Sequence, residues 1–261
     1  MNSDSIAIIG GTGLTRLQEL EITRLQGLEI EQRMTLQTPY GDPSCALTIG
    51  SLYGREIVFL ARHGDNHTIP PHRVNYRANL WALKHLGIRR VISVCAVGGI
   101  RRDIEPGVIV IPDQIIDYTW SRAHTLYEDD LETVTHIDFT EPYCEEQRQV
   151  LLAAAGRAGI EIVPTGTYGA TQGPRLETAA EIDRMERDGC DIVGMTGMPE
   201  TSLARELGLC YAACAVSANA AAGRGTGPIT PDAIEDTLAL SMARVMRILE
   251  QVIGGANRDP A

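Results

Sequence analysis

The chain is short of positive charge. Its 261 residues carry 23 Lys and Arg against 34 Asp and Glu, a formal net charge of −11. Sequence-independent binding of nucleic acid needs a basic surface, so that class is excluded. A phosphate group held in a local positive pocket is not. No apolar run reaches the about 18 residues that a membrane-spanning helix requires. The N-terminus also lacks the basic segment and apolar core of a secretory signal. Both absences point to a soluble, cytoplasmic protein with no membrane partner. No CxxC pair occurs among the six cysteines, Cys45, Cys95, Cys144, Cys190, Cys210 and Cys214. Most sit in apolar runs and read as buried thiols in a reducing compartment.

What is present is an apolar content of 44% and 26 glycines, enough for a sizeable core with many tight strand–helix junctions. Short apolar runs bounded by Gly, Pro or charge read as buried strands at 6–9, 57–61, 91–97, 108–111, 165–170, 192–195 and 211–216. Helical spacing marks 74–86 and 145–158. Thr178 and Glu181 form a capping box, so a helix should start at 178 or 179. Pro199 suits the first turn of a helix through Leu207. Thr230-Pro231 opens a long last helix in which Ile234, Leu238, Met242, Val245, Ile248 and Val252 share a face. Alternating strands and helices predict an α/β fold: a mixed, mostly parallel central sheet flanked by helices. With no linker or repeat, residues 1–253 read as one domain and Gly254–Ala261 as a flexible tail. The stretch Tyr118–Phe139 has little periodicity and reads as a long functional or interfacial excursion.

Gly10-Gly11-Thr12-Gly13 follows a strand, but Arg16 stands where a dinucleotide fingerprint needs glycine. No Gly-Lys-Ser/Thr follows, so it is not a P-loop either. The turn is either merely tight or an anion cradle of backbone N–H groups and the Thr12 hydroxyl. In Ala61-Arg62-His63-Gly64, Arg62 offers a planar fork for phosphate and His63 a donor beside it. A plain surface loop is the alternative. His63, His67 and His72 are close in sequence, but Pro70-Pro71 breaks any helix and no zinc spacing results. Val97-Gly98-Gly99 and Gly194-Met195-Thr196-Gly197 are glycine-rich strand ends, which serve packing or close ligand approach.

Together, and in order, these segments resemble the trimeric purine nucleoside phosphorylase and methylthioadenosine phosphorylase family. The stretches that carry the resemblance include Ile8–Leu14, Thr38–Ser44, Ala61–Gly64, Val74–Leu83, Gly173-Pro174-Arg175-Leu176-Glu177-Thr178 and Met195-Thr196-Gly197-Met198-Pro199-Glu200. The resemblance implies the nucleoside phosphorylase fold and phosphorolysis, in which inorganic phosphate attacks C1′ of a ribosyl purine. It also implies a homotrimer with shared active sites. Phosphate is the co-substrate and no metal or organic cofactor is expected. By family position, Thr12, Arg62, His63, Ala96 and Thr196 would hold phosphate, with His63 also catalytic. Met195 would pack under the ribose, and His136 would reach a neighbouring subunit's substrate.

Two departures bear on the substrate. The methylthioadenosine branch has Asp at the positions of Asn219 and Ala221 and a small residue at that of Glu177. The 6-oxopurine branch has Asn and Glu, as here. A 6-oxopurine presents an N1–H donor and an O6 acceptor. Glu177 would accept from N1–H, beside Leu176. Asn219 would donate to O6 and meet N7, stabilising the leaving base. Such a site can reject the mispaired base by on the order of 10⁴-fold. The plainer alternatives are a helix-end charge for Glu177 and a turn residue for Asn219. The sugar end reads differently. The 6-oxopurine enzymes place a histidine near the last helix for the 5′-hydroxyl, whereas this chain has none beyond His136. Ile229, Pro231 and Ile234 would offer an apolar lining suited to a 5′-methylthio group. The expected substrate is a 6-oxopurine on 5-methylthioribose. The alternatives are inosine or guanosine, and methylthioadenosine.

Overall fold

The computed structural model describes residues 5–14, 29–129 and 132–255. Among the described residues ten strands form one sheet: β1 (Ile6–Gly10), β2 (Glu29–Met34), β3 (Leu47–Leu52), β4 (Arg55–Ala61), β5 (Arg90–Gly99), β6 (Ile109–Val110), β7 (Gln114–Asp117), β8 (Thr167–Ala170), β9 (Ile192–Gly194) and β10 (Cys210–Ala220). The order is β2-β3-β4-β1-β5-β9-β8-β7, with β10 paired to β5 and β6. Pairing is parallel for β1 with β4 and β5, β10 with β5, β7 with β8 and β8 with β9. It is antiparallel for β2–β3, β3–β4, β5–β9 and β6–β10.

Strand alternation builds two cores. In β1, Ile6 and Ile8 face α2 (Glu145–Ala158) and α5 (Pro231–Gly255), packing with Leu151, Val245 and Leu249. Ala7 and Ile9 face the other layer, α1 (Tyr76–His85) and α4 (Gly197–Glu206), with Leu80, Leu83 and Leu203. The result is helix–sheet–helix layering. A smaller cluster of Ile182, Met185 and Val193 seats α3 (Ala179–Arg187) over β9.

Several boundaries follow from local chemistry. Thr178 caps α3 and forms the reciprocal bond with Glu181. Asn75 caps α1 by accepting from Ala78 N–H, which starts that helix at Tyr76 rather than at Val74. Met198 has extended torsions (φ −116°, ψ 138°), so the regular part of α4 begins at Pro199. Gly254 and Gly255 belong to α5, so the expected flexible tail does not begin at residue 254. The rest of that tail lies outside the described residues.

The structure corrects the reading of the cysteines. Cys144 and Cys210 form a disulfide, with Cα atoms 5.0 Å apart, while Cys45, Cys95, Cys190 and Cys214 are free. Cys144 precedes α2 and Cys210 opens β10. The Cys144 N–H donates to the Tyr211 carbonyl at 2.8 Å, which holds the two backbones together. A pair 66 residues apart is brought together by the fold and carries no local spacing signal.

Candidate active site

The sheet forks at its centre. Strand β1 pairs with β5 only from Arg90 to Ser93, and β9 pairs with β5 only at Gly98 and Gly99. Between these points the edge of β5 lies open, and Cys95, Ala96 and Val97 line a cavity of about 410 Å³. The cavity sits beyond the carboxyl ends of β1, β4, β5 and β10, where open α/β sheets place ligands.

One wall gathers Gly11, Thr12, Arg62, His63 and Thr196. Gly11 and Thr12 leave β1 in a tight turn, closed by Leu14 N–H donating to the Gly11 carbonyl at 3.0 Å. A Cβ on Gly11 would stand 2.7 Å from Arg62 Nη1 and 2.7 Å from the Val94 carbonyl, so only glycine allows this approach. Arg62 extends β4, with its N–H on the Gly10 carbonyl at 2.9 Å. Its guanidinium is fully buried. Nε and Nη2 donate to Glu200 at 2.6 and 2.9 Å, Nη2 also to Ser93 Oγ at 2.6 Å, and Nη1 to the Val94 carbonyl at 3.2 Å. Burial works against the charge, but the attraction and hydrogen bonds of Glu200 outweigh it, and the Arg62 pKa is raised. Ser93 and Tyr211 complete the shell by donating to Glu200 Oε1 at 2.9 and 2.7 Å.

His63 lines the same wall. Its Nδ1 lies 2.8 Å from the Ile69 carbonyl. A carbonyl only accepts, so the proton is assigned to Nδ1 and Nε2 is left as the free polar atom. Burial and then the neighbouring Arg62 charge push the His63 pKa down to about 4. The neutral ring therefore offers Nε2 as an acceptor rather than the donor expected from sequence. His67 packs on it with ring centroids 4.7 Å apart, and its Nε2 lies 3.4 Å from Thr12 Oγ1. Thr196 lies just before α4, its side chain makes no cap bond there, and it lines the cavity.

The opposite wall carries Leu176, Glu177, Met195 and Asn219. Glu177 precedes the cap of α3 and accepts from Thr171 Oγ1 at 2.7 Å. Asn219 comes from the end of β10, where the pairing with β5 shifts register between Ser217 and Asn219. Such an irregularity re-aims a side chain. The Asn219 amide nitrogen donates once, to the Ala220 carbonyl at 2.8 Å. One N–H and the amide oxygen are then available to a ligand. Met195 is backed by Gly173, at φ +61°, where a Cβ would lie 2.4 Å from the Met195 sulfur.

Ile229 and Ile234 line the remaining end with Ile69, Pro70 and Pro71. Pro231 does not line the cavity, since it is the first residue of α5 and is exposed. His136 is also exposed and does not line the cavity of its own chain.

Some contributors had no assigned role in the sequence reading. Glu200 was visible only as part of a motif. Arg122, within the excursion, ties the walls together by donating to the carbonyls of Thr171, Gln172, Met195 and Met198 at 3.1, 2.8, 2.8 and 2.6 Å. No local pattern marks it, because its partners are about 50 to 75 residues away along the chain.

The phosphorylase superfamily matches residues 5–254. A probable S-methyl-5′-thioinosine phosphorylase of Pseudomonas syringae is 52% identical over 250 residues, covering 96% of this chain and 98% of the relative. The 6-oxopurine nucleoside phosphorylase of Pyrococcus furiosus is 43% identical over 249 residues, 94% of this chain and 90% of that one. Among solved structures, methylthioadenosine phosphorylase of Schistosoma mansoni in complex with adenine superposes with a TM-score of 0.90 at 32% identity, covering 98% of this chain and 93% of that one. Fold, motif order and relatives agree: the chain belongs to the phosphorylase superfamily, as a pentosyltransferase of the nucleoside phosphorylase type.

Proposed function

We propose that the chain catalyses phosphorolysis of S-methyl-5′-thioinosine to hypoxanthine and 5-methylthioribose 1-phosphate, a purine-salvage reaction. The observation that carries this is one cavity with Glu177 and Asn219 on its base wall and Ile229 and Ile234 at its apolar end. A carboxylate accepts from the N1–H of a 6-oxopurine and opposes the N1 lone pair of a 6-aminopurine. The apolar side chains of Ile69, Ile229 and Ile234 fit a methylthio group better than a hydroxyl. Full-length relatives bearing that activity in their names lend further support.

In this reading, phosphate lies among Thr12, His63, Ala96, Thr196 and the Arg62 edge. A phosphate oxygen bonds to C1′ as the C1′–N9 bond breaks, and the electron pair passes into the purine. The anion stabilises the positive charge developing on the sugar, and Met195 packs beneath the ring. Neutral His63 accepts from a P–OH group. Asn219 donates its free N–H to O6, and its oxygen accepts from N7–H once N7 takes a proton from solvent. The enzyme works in the cytoplasm as a homotrimer, with His136 reaching a neighbour's 5′ end, and needs no metal or organic cofactor.

The test compares kcat/KM for S-methyl-5′-thioinosine, S-methyl-5′-thioadenosine and inosine. The first should be highest. A higher value for the adenosine analogue would overturn the base assignment, and a higher value for inosine the sugar assignment.

A further inference from the structure

Thr171 follows β8 directly, is 8% exposed, and is held on both sides of its backbone. Its N–H donates to the Gly194 carbonyl at 2.8 Å, and its own carbonyl accepts from Arg122 Nη2 at 3.1 Å. The hydroxyl is thereby set between two acceptors, Glu177 Oε1 at 2.7 Å and the Gly194 carbonyl at 3.3 Å. It has a single proton to give. The shorter, charge-assisted contact to the carboxylate takes it. The nearby cation does not compete for Glu177: Arg175 is engaged by both oxygens of Glu181, at 2.7 and 2.9 Å.

We propose that Thr171 is a positioning residue for base recognition: its hydroxyl fixes Oε1 of Glu177 and leaves Oε2 to accept the N1–H of the purine. This rests on the reading of Glu177 as the base acceptor. A flexible carboxylate on a half-buried loop would lose rotamer freedom on binding a purine; one tethered at a single oxygen has already lost it. Arg122 extends the effect. By holding the carbonyls of Thr171 and Gln172 together with those of Met195 and Met198, it fixes the carboxylate relative to the ribose and phosphate walls.

The experiment is a cycle of T171V, E177A and the double variant, with T171S alongside, measured as kcat/KM for S-methyl-5′-thioinosine. T171V replaces the hydroxyl by a methyl of similar size. It should lower kcat/KM about 10-fold, as expected for a hydrogen bond to a charged group. The KM for phosphate should stay within about twofold. T171S keeps the donor and should stay within about threefold of wild type. In the E177A background, T171V should have almost no further effect, since its partner is gone. An undiminished loss in that background, or a loss in T171S equal to that in T171V, would mean that Thr171 acts through packing and would overturn the proposal. The cycle reads the Thr171–Glu177 coupling whichever purine wild type prefers, so failure of the substrate assignment and failure of this proposal are separate results.

Discussion

Glu200 holds Arg62 with both carboxylate oxygens, at 2.6 and 2.9 Å, and the two residues are 1% and 0% exposed. The guanidinium at the cavity wall is thus fixed before any ligand arrives. Removing one member of a buried pair leaves the other uncompensated, at a cost of about 3–5 kcal/mol. Glu200→Ala should lose stability of that order in urea unfolding and raise the KM for phosphate. Glu200→Gln keeps an acceptor for Arg62 and should lose less of both. A Glu200→Ala protein of wild-type stability would show that the pair is not uncompensated when broken.

His63 sets an acid limit. Its folded pKa, about 4, lies below the ordinary 6.5, so the unfolded chain binds the proton more readily. The associated stability is fully present above about pH 6.5 and is lost as pH falls through the window down to about 4. The difference corresponds to about 3 kcal/mol. His67 is shifted the same way by burial and Arg62. Unfolding free energies measured from pH 7 to 4 should therefore fall less steeply in His63→Asn than in wild type. Parallel curves would remove His63 from the acid response.

The Cys144–Cys210 link closes a loop of 66 residues in sequence separation, for which chain entropy predicts about 4 kcal/mol of stabilisation. Alkylation of the unfolded, unreduced protein should label Cys45, Cys95, Cys190 and Cys214 and spare the other two. Adding reductant should expose all six and lower the denaturation midpoint. Labelling of all six without reductant would show that the bond does not form in the protein as made.

Asn219→Asp replaces the amide donor with a second acceptor on the base wall. The kcat/KM ratio should move toward the 6-aminopurine nucleoside by at least about 10-fold, the scale of one mispaired buried polar contact. An unchanged ratio would remove Asn219 from the specificity account.

The parts of the molecule legible in sequence were those with local signatures. Central strands such as β1 and β5 are apolar runs buried on both faces, and α2 and α3 carry helical spacing or a complete cap. The outer strands β2, β3 and β7 were not read. Glu29–Met34 is nearly all exposed and Gln114–Asp117 only half-buried, so neither stands out as an apolar run. Leu47–Leu52 is interrupted by Gly50 and Ser51. The same division holds in the site. Arg62, Thr196, Glu177 and Asn219 sit in short motifs at strand or helix ends. The Thr171–Glu177 and His63–Ile69 contacts each span only six residues but depend on loop torsions that no residue pattern marks, and Arg122 depends on atoms brought together from distant segments. The disulfide does too.

The fork between β1 and β9 along β5 has a consequence for how such enzymes diversify. Of the cavity residues, Thr12, Arg62, His63 and Thr196 come from just beyond β1, β4 and β9, while Leu176, Glu177 and Asn219 come from the loop before α3 and the end of β10. The two sets share a cavity but not a backbone segment. Substitutions at the base wall can thus accumulate without disturbing the buried Arg62–Glu200 pair.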